Sequence, residues 1–296
     1  MEDDFHKALR QTAELMETDL THFLPTNEGL EKQLYKAMRY GVLSGGKRLR
    51  AFLVIQSADL FSVPRIHSTR VAAALELIHS YSLIHDDLPC MDDDDLRRGI
   101  PTVHKHYDEA TAVLAGDALQ SLAFDILSHA DTHPSPEVRI ALVSKLAQAI
   151  GVKGMVGGQT MDMYADAVDI DIITITRLQQ LKTGALISFA CTAGAILGHA
   201  PPAKTQALKA YAHDLGLAFQ IADDILDIEG TTEQLGKAAG KDEAAGKATF
   251  VSLMGLEEAK IHASMLSEQA VKHLDIFGPK ADLLRQAAAF TIERKK

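Results

Sequence analysis

The sequence contains no tryptophan, two cysteines and only 5% aromatic residues in a chain of 296. Cys90 and Cys191 lie far apart, so there is no disulfide framework and no zinc-type spacing. That usage fits a reducing cytosol. Positive charge is also short. Thirty Lys and Arg against 40 Asp and Glu leave a formal charge of −10, which argues against a nucleic acid partner. The start, Met1-Glu-Asp-Asp-Phe5, is acidic and resembles neither a signal nor a transit peptide, so a cytoplasmic location is expected. The longest apolar stretch, Ala185–Gly198, carries Gly, Thr and Ser and falls short of a membrane span. It reads as a core helix, and no stable membrane insertion is expected. Alternating Val/Ile/Thr runs with turn pairs are scarce, which weighs against sheet.

What is present is helical. Apolar residues make up 47% of the chain, enough to bury a sizeable core. Ala and Leu are plentiful. Breakers at Pro25-Thr-Asn27, Ser44-Gly-Gly46, Val63-Pro64, Gly99-Ile-Pro101, His133-Pro-Ser-Pro136 and Ala200-Pro-Pro202 divide the chain into roughly ten helices. Residues 65–88 read as one long apolar helix, 171–199 and 203–228 as two more, and 249–275 and 278–293 as amphipathic helices. Residues 230–248, rich in Gly, Lys and Ala, read as a mobile loop. The expectation is an all-α single domain over 1–296, a large bundle of about ten or more helices.

Charge is concentrated. Six Asp fall within residues 86–95. Asp223, Asp224 and Asp227 follow the apolar run Leu215–Ala222. Asp223 and Asp227 are i and i+4 on one helix face, where like charges destabilise unless a cation sits between them. In Asp86-Asp87-Leu-Pro-Cys-Met-Asp92, Pro89 is expected to kink or end the helix and let Asp92 swing back toward Asp86. The alternative readings are a solvated helix end and a charged loop. Two apolar helices ending in acidic clusters can present them across one cavity if they pack as neighbours. Oxygen-only ligands favour a hard cation, magnesium above all, in a site completed by substrate phosphates.

Basic partners for phosphate stand nearby: Arg97-Arg98, and Gly45-Gly-Lys-Arg-Leu-Arg50 upstream. Gly41-Val-Leu-Ser-Gly-Gly46-Lys47-Arg48 nearly fits a P-loop. Arg48, however, stands where Ser/Thr would bind magnesium, and no strand precedes it.

Taken in order, eight landmarks resemble the trans-prenyltransferases (isoprenyl diphosphate synthases). They are Gly45–Arg50, Leu77-Ile-His79, Asp86–Asp92, Arg97-Arg98-Gly99, Gly158-Gln159, Lys182-Thr183-Gly184, Phe219–Asp227 and Gly236-Lys237. The four residues between Asp pair and Asp are similar to the farnesyl-type bacterial members. The resemblance implies the isoprenoid synthase fold around a central cavity, a homodimer and three magnesium ions. Asp86 and Asp92 are then ligands of two ions and Asp223 of the third, with Asp87, Asp224 and Asp227 supporting. Arg97, Lys182 and Lys237 contact an allylic diphosphate. Lys47, Arg50, His79 and Arg98 hold isopentenyl diphosphate. Thr183 and Gln220 lie near the allylic carbon, Phe219 adjoins the substrate, and Lys241, Asp242 and Lys247 belong to a closing loop. Two positions depart from the family: Val251 and Ala51 stand where Pro is usual.

The implied reaction is 1′–4 head-to-tail condensation of isopentenyl diphosphate with dimethylallyl and geranyl diphosphates. No protein nucleophile is required, in keeping with the lack of a Ser or Cys triad. Tyr81 and Ser82, five and four residues before Asp86, lie about one turn below the first motif. An aromatic floor there implies a C15 product. Rival readings are a geranyl or geranylgeranyl synthase, a terpene cyclase, and a non-catalytic partner subunit. A cyclase typically uses another second metal motif and has no need of Lys47, Arg50 and His79.

Overall fold

The computed structural model describes residues 3–26, 29–165, 170–229 and 248–293. Regular structure among them is almost wholly helical: α1 (Asp4–Phe23), α2 (Lys32–Val42), α3 (Leu49–Asp59), α4 (Arg65–Asp86), α5 (Val103–His106), α6 (Glu109–Ser128), α7 (Pro136–Ile150), α8 (Met155–Met163), α9 (Ile172–Gln179), α10 (Ala185–Leu197), α11 (Pro202–Glu229), α12 (Phe250–Met254), α13 (Leu256–His273) and α14 (Asp282–Glu293). Strands β1 (Leu96–Arg97) and β2 (Ile100–Pro101) form one short hairpin.

The breakers act as their chemistry dictates. Asp3 caps α1, its carboxylate accepting from the His6 N–H at 2.8 Å. Pro136 and Pro202 open α7 and α11, where a missing N–H costs nothing. Three expected helices end differently. The first long helix stops at Asp86, not 88, because Pro89 follows. The expected helix 171–199 is α9 and α10 joined by a π turn, Gln180–Gly184. The expected helix 249–275 is split at Gly255, whose φ of 85° no helix accommodates. The mobile-loop expectation for 230–248 falls, but for residue 248, outside the described residues.

The chain forms two compact units, residues 1–55 with 63–143, and residues 56–62 with 144–296. In the first, α4 packs against α1, α2 and α6. From Val71 to Ile78 every α4 side chain is buried, the mark of a helix enclosed by others. Gly116 of α6 makes room for His85, whose ring nitrogen would stand 2.1 Å from an added Cβ. His85 Nε2 meets the Val113 carbonyl at 3.0 Å. The C-terminal end of α4 is thus docked just before its acidic motif.

In the second unit, α11 packs against α10 and α13. A core of Ile175, Leu178, Leu217, Ile221, Phe250 and Leu266 lies beneath the second motif. The fully buried Tyr211 donates to the Leu284 carbonyl at 2.7 Å and ties α14 to α11. By length and composition alone, Glu109–Ser128, Pro136–Met163 and Ile172–Leu197 could each cross a membrane. Ala185–Gly198 itself is the buried helix α10, as expected, and the helical run reaches span length only because α9 and the π turn precede it. Of the most apolar window in Ile172–Leu197, 61% is buried inside the protein.

Candidate active site

The first acidic motif is a tight turn at the end of α4. The Asp92 N–H donates to the Asp86 carbonyl at 2.9 Å, and Asp93 and Asp94 donate to the Leu88 and Asp87 carbonyls at 3.2 Å. Asp92 therefore comes back beside Asp86, as Pro89 predicted. Asp87 takes another role. It is buried, and Arg97 Nε reaches both its oxygens at 2.8 and 2.9 Å. Burial pushes the Asp87 carboxyl up, and Arg97 opposes that shift. Arg97 is held in place by the hairpin, whose loop residues Arg98 and Gly99 both have positive φ, the type I′ geometry that matches strand twist.

Three cationic side chains and a histidine singled out by the sequence belong to the same unit. Arg50 Nη1 lies 3.4 Å from His79 Nε2. Arg98 donates to the Gly45 carbonyl and, at 3.4 Å, to Ser44 Oγ, so it lies along the glycine turn next to Lys47. Removal from water, followed by the charges of Arg50, Arg98, Arg97 and Arg48, holds His79 well below the ordinary imidazole value. His79 is thus neutral at neutral pH among guanidinium groups, an arrangement suited to a multivalent anion.

Tyr81 is buried on α4, with His85 edge-on at 5.1 Å. Burial, then Asp86 and Asp117, push its phenol up. Ser82 turns its hydroxyl back to the His79 carbonyl at 2.9 Å.

In the second unit, Asp223, Asp224 and Asp227 lie near the C-terminal end of α11. Asp224 is buried and doubly engaged, accepting from Gln220 Nε2 at 3.0 Å and from the Phe250 N–H at 2.9 Å. Thr183 donates to Gln220 Oε1 at 3.1 Å. A single chain of bonds thus ties the π turn, the acidic motif and the start of α12. Lys182 projects from the same π turn, a distortion common at functional sites, and meets Asp162 Oδ2 at 2.6 Å. Sequence reasoning missed Asp162; its signal was a lone carboxylate three residues after the Gly158-Gln159 landmark. Half-buried Phe219 precedes Gln220 on α11. Lys237, Lys241, Asp242 and Lys247 lie outside the described residues.

A metal fits this chemistry. The carboxylates of the two acidic motifs are hard oxygen donors. Asp227 Oδ1 is buried without a hydrogen-bond partner, a cost that a cation would relieve. Asp93, Asp95 and His104 also bring three donor atoms within 4.8 Å of one another, outside the expected set, and Asp95 is paired with Lys105 at 2.8 Å.

The helical fold and its two carboxylate motifs are those of a class of all-helical, metal-dependent enzymes. The polyprenyl synthetase model matches residues 31–276. The farnesyl diphosphate synthase of Escherichia coli strain K12 is 44% identical over 99% of this chain and 100% of its own. An FPP/GFPP synthase crystal structure from Zymomonas mobilis superposes with TM-score 0.90 at 50% identity, covering 98% of this chain and 99% of that one. A geranyltransferase from Helicobacter pylori, complexed with magnesium and isoprenyl diphosphate, gives TM-score 0.85 at 32% identity over 99% and 98% of the two chains. The chain belongs to the polyprenyl synthetase family and is a prenyltransferase.

Proposed function

We propose that the enzyme condenses isopentenyl diphosphate with dimethylallyl and then geranyl diphosphate, head to tail, to give C15 farnesyl diphosphate. One observation carries this reading: a single unit holds an acidic turn, Asp86–Asp92, and a basic group of Lys47, Arg50 and Arg98 with neutral His79. These are two unlike seats for diphosphate, one through metal and one through direct contact. A cyclase, with one diphosphate substrate, needs only the first.

Three magnesium ions fit the reading, two held by Asp86 and Asp92 and one by Asp223, with Asp87, Asp224 and Asp227 supporting. Bound there, magnesium stabilises charge on the departing diphosphate. Arg97, Lys182 and Lys237 add cationic contacts to the allylic diphosphate. Lys47, Arg50, His79 and Arg98 hold isopentenyl diphosphate so that its alkene attacks the allylic carbon. Thr183, Phe219 and Gln220 border that carbon. The condensation proton leaves to the released diphosphate. The active site excludes water, which would otherwise capture the cation as an alcohol, and Lys241, Asp242 and Lys247 belong to the segment assigned to closure.

Steady-state kinetics with each substrate varied separately tests the two seats. Arg50→Ala is expected to raise KM for isopentenyl diphosphate about tenfold or more and to leave KM for the allylic partner nearly unchanged. Asp86→Ala is expected to lower turnover about a hundredfold or more with the fold intact. Equal effects of Arg50→Ala on both KM values, or near-normal turnover of Asp86→Ala, would contradict the assignment.

A further inference from the structure

Arg48 and Glu76 take no part in the reaction proposed above, yet both are buried, 7% and 2% exposed. Arg48 Nη1 meets Glu76 Oε2 at 3.0 Å, and Nη2 donates to the Val42 carbonyl at 2.6 Å. The second Glu76 oxygen accepts from the Ala51 N–H at 3.1 Å. A proline at position 51 could not make that bond, so the departure from the family pattern has a structural use here. Arg48 also adopts φ 51°, a left-handed backbone that costs an ordinary residue roughly 1 kcal/mol or more unless its surroundings hold it.

The placement of these residues is what matters. Arg48 lies between Lys47 and Arg50, and Glu76 lies on α4 three residues before His79, on the same face. One carboxylate thus fixes the turn carrying Lys47 and the start of α3 carrying Arg50 to the helix carrying His79. Buried ion pairs are often replaceable by apolar residues with no loss of stability. An apolar pair, however, cannot bond the Val42 carbonyl and the Ala51 N–H, or hold the left-handed turn.

We infer that Arg48 and Glu76 are positioning residues for the isopentenyl diphosphate seat, a role that rests on the function proposed above. The test uses the full-length enzyme with each substrate varied separately. The double variant Arg48→Met/Glu76→Leu leaves no unpaired buried charge. It is expected to raise KM for isopentenyl diphosphate about tenfold, because a small displacement of binding groups is costly, with KM for the allylic diphosphate and kcat moving less than about threefold. Arg48→Lys, which keeps the charge but loses the forked contact, is expected to shift the same KM in the same direction by less. A role confined to stability would lower Tm and leave the ratio of the two KM values unchanged, and that result overturns the inference. If the double variant loses its helical circular dichroism, Arg48→Lys alone decides. A wild-type enzyme unable to transfer prenyl groups overturns the proposed function and this inference with it. An active wild type with unmoved KM ratios overturns the inference alone.

Discussion

Within each acidic motif the carboxylates have different partners. Asp87 is taken by Arg97 and Asp224 by Gln220 and the Phe250 N–H. Asp86, Asp92 and Asp223 are the residues proposed for direct metal contact, and the bonds of Asp87 and Asp224 fix the turns beside them. Tyr81 is the residue proposed to set product length. It is buried one turn before Asp86, where its ring is proposed to form the floor that stops the growing chain. Tyr81→Ala is expected to shift the product from C15 toward C20 and longer, read by chromatography of the dephosphorylated alcohols. An unchanged C15 product would show that the floor lies elsewhere. Val251, the second departure from the family, lies in the first turn of α12 after the Thr249 cap, where proline and valine are both tolerated.

At the scale of elements, helices with an unmistakable period or a hard stop were legible in the sequence. Pro89 announced the end of α4, and the return of Asp92 to Asp86 followed from it. The i,i+4 spacing of Asp223 and Asp227 placed both on one face of α11. Less legible were features set by tertiary contact. The π turn at Gln180–Gly184 carries no composition signal, because it depends on the approach of α8, where an added Gly158 Cβ would meet the Lys182 nitrogen at 2.2 Å. The hairpin at Arg98-Gly99 was hidden because its strands are two residues long. The Asp162–Lys182 and Arg48–Glu76 pairs join residues distant in sequence, which periodicity cannot relate. Gly255 was passed over because residues on both sides of it continue a helical pattern.

At the scale of the whole molecule, α6 combines an apolar composition with incomplete burial. Val113 and Leu114 are 40% and 56% exposed, and Leu96 of β1 is 53% exposed. The resemblance to the trans-prenyltransferases implies a homodimer, the assembly expected in sedimentation. Sedimentation of a monomer at micromolar concentration would contradict that assembly. The central claim is that metal-held and cation-held diphosphates are joined into a C15 chain. Its most direct measurement is incubation of the purified protein with isopentenyl and dimethylallyl diphosphates, with magnesium and with a chelator, followed by product sizing. The account predicts farnesyl diphosphate as the main product with magnesium and none with chelator. A cyclic hydrocarbon, a product of other length as the main species, or turnover that survives chelation would contradict it.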